Sequence, residues 1–273
     1  MEILVDGKIV DFTLESEKTV NEIITSLEQW VTGSGHRISG LSIDGKTVDS
    51  SSLENVFSMD IDSINKLEIK TSSIADLTAE TLLKILDNIN EYQTLKHEDK
   101  AEFIETWQQS PQANYTQDFL PDLYNVIIGA FTGTGLNLNS AFSITEERLR
   151  EVKDPKAELE KLKPLLDETI TRLTDFSLDI QTGKDMRAAQ TIQLFSGVTE
   201  KMLRLTNQLD SQGYLADISG EKTLMQIINE LGDIIKELLD AYERHDTVLA
   251  GDLAEYEASG KLQELYTIIK GEK

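Results

Sequence analysis

Ile3-Leu4-Val5-Asp6-Gly7-Lys8-Ile9-Val10 opens the chain, and Leu41-Ser42-Ile43-Asp44-Gly45-Lys46 repeats the same device further on. Each stretch puts aliphatic residues ahead of Asp-Gly, a pair that tolerates the positive φ angles of a two-residue hairpin turn. Phe12 and Leu14 extend the first returning strand, and Val48 extends the second. Between the hairpins, Thr19 and Glu22 have the spacing of a capping box. Val20, Ile23, Ile24, Leu27, Trp30 and Val31 then recur on one helical face, which predicts a helix covering the sheet. Gly33-Ser34-Gly35 ends that helix. Leu53 to Phe57 predicts a short helical turn, and Leu67-Glu68-Ile69-Lys70 a closing strand.

This order, with the Gly45-Lys46 turn and the crossover from Asp49 to Leu53, resembles the ubiquitin-like β-grasp proteins. The resemblance implies a docking module. It departs from the conjugated modifiers, because no Gly-Gly terminus follows Lys70 and the chain runs on through Thr71-Ser72-Ser73. Conjugation is therefore not expected. The three polar residues read as a short break, too short for a flexible tether.

Behind them the period changes from two to 3.6. Leu82, Ile85, Leu86, Ile89 and Tyr92 predict one helix, and Phe103, Ile104 and Trp107 a shorter one stopped at Ser110-Pro111. A third is expected over Phe119–Phe131, ending in the glycines of Gly129 to Gly135. Asp154-Pro155 is an N-cap with proline at the first helical position. It leads into Leu159, Leu162, Leu166, Ile170, Leu173 and Ile180, with Pro164 expected to kink or divide the run. Met186, Ala189, Ile192, Phe195, Val198, Met202, Leu205 and Leu209 return after Gly183. Ser219-Gly220 opens the most regular stripe, from Leu224 to Tyr242. After the His245-Asp246 turn, Val248, Leu249, Leu253, Tyr256, Leu262, Leu265, Tyr266 and Ile269 close the set. Each stripe alone would be a large exposed apolar patch, so mutual burial in an antiparallel four-helix bundle is expected. The expected class is α+β, with a β-grasp over 1–73, a helical connection over 74–143 and a helical bundle over 144–273.

Composition narrows the function. The 273 residues carry 49 Asp and Glu against 26 Lys and Arg, a net charge of −23. Residues 1–73 hold 13 acidic against 6 basic side chains and the rest 36 against 20, so the charge is spread along the chain. Neither part suits a phosphate backbone or an anionic lipid surface, whereas a basic protein partner is favoured. A highly soluble, self-repelling surface accounts for the same charge more simply. No apolar stretch approaches membrane-span length and no basic leader precedes one, which makes a cytoplasmic location the expectation. The absence of cysteine removes disulfides, thiolate zinc sites and thiol nucleophiles together.

Few motifs carry chemistry. Gly129-Ala130-Phe131-Thr132-Gly133-Thr134-Gly135 follows an apolar helix and lacks the Gly-Lys-Ser/Thr of a phosphate loop, so it reads as a helix C-cap. Asp252, Glu255 and Glu257, near His245 and Asp246, form the densest acidic knot, and Asp252 with Glu255 could share a hard cation. No Glu-x-x-His occurs, however, and carboxylates near a helix N-terminus favour its dipole anyway. The three histidines, at 36, 97 and 245, sit in no local arrangement with a serine and an acid, and no cofactor motif is present. Val248-Leu249, Asp252-Leu253 and Glu255-Tyr256-Glu257 resemble a pattern in the last helix of uncharacterised bacterial helical-bundle proteins, a resemblance that implies no activity.

The expected function is that of a non-enzymatic adaptor, scaffold or chaperone-like regulator. It would dock through the sheet of the first module, or through a groove between bundle helices opened by motion of the Phe119–Leu138 segment. Tyr256, Glu257 and Phe131 are the candidate partner-binding residues, although Tyr256 fits a core position somewhat better. A bundle that senses a small ligand or divalent ion through Asp252 and Glu255, and a hydrolase with a carboxylate pair, are the alternatives.

Overall fold

The computed structural model describes residues 1–10, 17–49, 52–215 and 221–271. The chain is α+β and divides into two compact units, Met1–Thr145 and Glu146–Lys273. In the first, β1 (Glu2–Val5) and β2 (Lys8–Ile9) form a hairpin whose turn residues Asp6 and Gly7 take φ of 50° and 75°. Helix α1 (Val20–Gly33) is capped by Thr19, whose hydroxyl accepts the Glu22 amide. Glu22 closes the box one residue early, accepting the backbone N–H of Lys18 at 2.6 Å. Next come β3 (His36–Ile43), β4 (Lys46–Thr47), α2 (Leu53–Phe57) and β5 (Lys66–Ser73). The five-stranded mixed sheet has the order β2-β1-β5-β3-β4, with β1 and β5 parallel and the other pairs antiparallel. Phe12 and Leu14, expected in the first hairpin, lie outside the described residues, as does Ser219-Gly220.

Both Asp-Gly turns do more than reverse the chain. The Asp44 carboxylate accepts the amides of Asn65 and Lys66, where β5 begins. Asp6 accepts the amide and hydroxyl of Thr71 near its end. These bonds, the hydroxyl first, hold the Asp6 carboxyl below its ordinary range. The central strand is thus fastened at two points by side chains from opposite sides of the sheet.

The polar break expected at Thr71-Ser72-Ser73 is strand. Its three residues pair with Ile38, Arg37 and His36, so β3 supplies the ladder that the side chains do not advertise. Ser73 then caps α3 (Ile74–Thr94), its hydroxyl accepting the amide of Asp76, with no spacer between strand and helix. Trp30, expected on the sheet-facing side of α1, is 58% exposed, while Val20, Ile23, Ile24, Leu27 and Val31 are buried. The apolar arc of the helix is one position narrower than the sequence suggests.

Helices α4 (Lys100–Gln108), α5 (Pro111–Phe119) and α6 (Pro121–Thr132) complete the first unit, with α7 (Leu138–Lys153) leading into the second. The helix expected over Phe119–Phe131 is divided. Pro121 cannot continue α5 but suits the first turn of α6, so Phe119 belongs to the helix before. At the far end Gly133 adopts a left-handed φ of 71° and its N–H returns to the carbonyl of Gly129, a helix C-cap.

The second unit holds α8 (Pro155–Thr174), α9 (Phe176–Gln181), α10 (Asp185–Ser211) and α11 (Glu221–Glu243). A last continuous helix follows, made of α12 (Thr247–Asp252), a π-helical turn over Leu253–Ala258 and α13 (Ser259–Lys270). Leu166, Phe195, Leu205, Leu231, Leu238, Leu262 and Leu265 are fully buried in one core drawn from all four long segments. Pro164 does not divide α8. It sits on the exposed face, where water can hydrogen-bond the carbonyl that has lost its N–H partner. Met186, Val248 and Leu249, all expected in the stripes, are instead exposed.

Candidate functional site

The π-helical turn decides which side chains of the last helix face water. Leu253, Ala254 and Ala258 are buried, and α13 continues the buried face with Leu262, Leu265, Tyr266 and Ile269. A π turn spends more residues on one revolution than an α turn, which rotates the residues on either side relative to one another. The side chains ahead of it that a strict 3.6 period assigns to the core therefore turn outward. Tyr256 lies inside this turn and is 70% exposed, so its expected core position is corrected.

Tyr256 stands on the wall of a groove of about 590 Å³ between α11 and the last helix. Glu230, Asp233, Ile234 and Glu237 line one side, and Tyr256, Glu257, Gly260, Lys261 and Glu264 the other. The single cation is already engaged: Lys261 Nζ lies 2.7 Å from Glu230 and 3.0 Å from Glu264. Hydrogen bonds to those two carboxylates hold its ammonium above the usual lysine range, and the bond from Lys261 lowers Glu230 in turn. Asp233, Glu237 and Glu257 remain as exposed carboxylates. The negative charge of Glu255, then its hydrogen bond, raises the Tyr256 phenol above its ordinary value, so the hydroxyl stays protonated and able to donate. An aromatic face with a polar tip inside an anionic wall is the chemistry that receives a lysine or arginine side chain.

The candidate residues thus separate. Tyr256 and Glu257 are brought together in the groove. Asp252 is exposed and Glu255 is turned to Tyr256, and among the described residues no group of three His, Asp or Glu side chains is placed to hold a metal ion. Phe131 is elsewhere and inaccessible. It is 3% exposed, packed against Tyr92, Phe103 and Trp107 at centroid distances of 4.6, 5.7 and 5.2 Å, and the Tyr92 hydroxyl donates to its carbonyl. It is a core ring, closed to a partner in this fold. Glu230, Asp233, Glu237 and Glu264 were not singled out by the sequence, because each alone reads as part of a solvated face.

A second cluster of charge lies in the same unit, away from water. Arg204 grips Glu151 with a bidentate fork, Nε to Oε2 at 2.9 Å and Nη2 to Oε1 at 3.0 Å, and Arg148 approaches to 3.5 Å. Lys201 bridges Glu147 at 2.6 Å and Glu158 at 3.6 Å. Burial pushes the Glu151 carboxyl up to about 7, against the pull of Arg148 and Lys201 and with a further push from Glu147 and Glu158. Because its folded value lies above the unfolded value of 4.5, its stabilising contribution is complete below about pH 4.5 and is lost as pH rises through about 7. Urea unfolding of the wild type relative to Glu151→Gln should therefore show a stability difference that moves against the wild type over that range. A difference moving the other way would mean that the Arg204 fork outweighs desolvation.

No helix among the described residues is long and apolar enough to cross a membrane. No curated protein and no solved structure matches the chain. The family described as TP0873 N-terminal domain matches residues 1–73, the five-stranded sheet with α1 and α2, and a domain of unknown function, DUF8042, matches residues 157–268, which contain every residue of the groove.

Proposed function

We propose that the protein is a non-enzymatic interaction module in which the groove between α11 and the last helix receives a basic segment of a partner protein. The observation that carries this reading is Tyr256, a large side chain 70% exposed on a π-helical turn, beside carboxylates whose one neighbouring cation is already paired. Tyr is over-represented among side chains that dominate interfaces, and this one stands on the wall of a groove. The first unit supports the same class of function. A sheet order of β2-β1-β5-β3-β4 with a helix across it fits a ubiquitin-like β-grasp, a fold whose sheet face and edges serve as docking surfaces.

Titration of the isotope-labelled chain with a lysine-rich peptide tests the proposal. Amide shifts are expected at Asp233, Glu237, Tyr256 and Glu257, weakening with salt. Tyr256→Ala should lower the affinity roughly tenfold. Shifts scattered evenly over the acidic surface, or an affinity indifferent to Tyr256→Ala, would sink it. The ion-sensing alternative makes a different prediction: a rise in Tm with Ca²⁺ or Mg²⁺ that Asp252→Asn and Glu255→Gln abolish.

A further inference from the structure

A second surface lies at the end of the helical unit where α9, α10, α11 and α12 come together. Gly251 of α12 approaches Ser177 of α9 so closely that a Cβ there would lie 2.9 Å from the Ser177 side chain. At this end a pocket of about 230 Å³ opens, floored by Ile180, Ala241, Tyr242 and Ala250. That volume is below the ~300–1,000 Å³ of a pocket for a whole small ligand and suits one bulky apolar side chain. Leu178 on α9, Met186 in the first turn of α10 and Val248 in the first turn of α12 are 57%, 78% and 72% exposed. These three exposed apolar side chains sit on the elements that meet at this end, each within two residues of a pocket-lining one.

Charge says what covers it. Asp185, Glu243 and Asp246 stand on the pocket rim, and no ion pair among the described residues holds any of the three. The nearby lysines and arginines face elsewhere: Lys184 lies by Asp179, Arg187 by Asp175 and Asp179, and Arg244 by Asp240. His245 also lines the pocket, and Asp246 caps α12 by accepting the Leu249 amide, which leaves its charge on the rim. A second copy of this chain is disfavoured, since each copy carries a net charge of −23. We propose that this end of the bundle docks a basic amphipathic helix of another protein, one apolar side chain of which fills the pocket beside Tyr242 while its lysines and arginines meet Asp185, Glu243 and Asp246. Such a helix presents apolar anchors one turn apart, which matches a pocket with an exposed apolar apron.

The test uses the full chain with labelled Ile, Leu, Val and Met methyls and three synthetic peptides: an amphipathic Leu/Lys helix, the same peptide with Leu replaced by Ser, and the same peptide with Lys replaced by Glu. The Leu/Lys peptide should shift the methyls of Ile180, Met186 and Val248, and the other two peptides should leave them in place. Val248→Ser combined with Met186→Ser, both exposed and so outside the core, should weaken the binding read at the Ile180 methyl at least tenfold, with circular dichroism unchanged. The Ile234 methyl reports on the groove separately, so shifts at Ile180, Met186 and Val248 without a change at Ile234, or the reverse, distinguish failure here from failure there. Unmoved Ile180 and Val248 methyls, equal binding of the Lys→Glu peptide, or a self-association that Val248→Ser abolishes would each overturn the proposal.

Discussion

Phe131→Ala is expected to destabilise the first unit by about 3–5 kcal/mol, the range for removing a buried aromatic ring. The ring is the hub of an aromatic cluster, edge-on to both Phe103 and Trp107 and tilted against Tyr92. Each such pair adds roughly 0.5–1.5 kcal/mol beyond the area it buries. The cavity left behind is bounded by other rings on α3 and α4, whose rigid side chains collapse into it poorly. Phe131→Leu, which keeps much of the volume, should recover a large part of the loss. Urea unfolding followed by Trp107 fluorescence reads the effect, because that indole stacks beside Tyr124 and lies against the deleted ring. A loss under about 1 kcal/mol would mean that the ring is exposed in solution and would return Phe131 to the list of binding residues.

Gly251→Val should cost the helical unit about 3 kcal/mol, and its repair identifies the cause. A Cβ at this position meets both Cβ and Oγ of Ser177 at 2.9 Å, and Ser177 Cα is only 3.5 Å away. The obstructing Cβ is rigidly attached to α9, so no rotamer change relieves the contact and the two helices must separate. Replacing glycine within a helix ordinarily adds stability, so a net loss isolates the clash. Ser177→Gly should rescue Gly251→Val, whereas Ser177→Ala, which retains the Cβ, should not. Thermal unfolding of the four variants in a double-mutant cycle gives the coupling directly. Additivity would refute the close approach of α9 and α12.

What the sequence made legible is what depends on local period and on turn chemistry. The two Asp-Gly turns, the Thr19 cap, the apolar face of α3 and the buried line Leu231-Ile234-Leu238 of α11 all follow from residues near one another in the chain. The errors arise where a distant partner or a change of helix pitch intervenes. Thr71-Ser72-Ser73 has no strand signature of its own and is strand because β3 lies alongside. Helix α7 mixes the two chemistries: Ala141, Thr145 and Val152 are buried on it together with Glu151, whose charge is met by Arg148 and Arg204, and a buried carboxylate on an apolar face is not announced by spacing. Val248, Leu249 and Tyr256 follow an apolar spacing that the π turn rotates away from the core. The groove was half legible. Tyr256 and Glu257 stand together in one motif, but their opposite wall belongs to α11, and nothing in one helix announces which carboxylates another will face.

The placement of β5 has a consequence for the order of events during synthesis. This strand is central, parallel to β1 and gripped by Asp6 and Asp44, so the sheet cannot close until the ribosome has released residues as late as Ser73. Pairings this far apart in the chain are the slow kind. Ser73 is at once the last ladder residue and the cap of α3. Arrival of that helix at the tunnel exit and completion of the sheet are therefore coupled, and a ribosome stalled before residue 73 would hold a nascent chain with an open edge on β1.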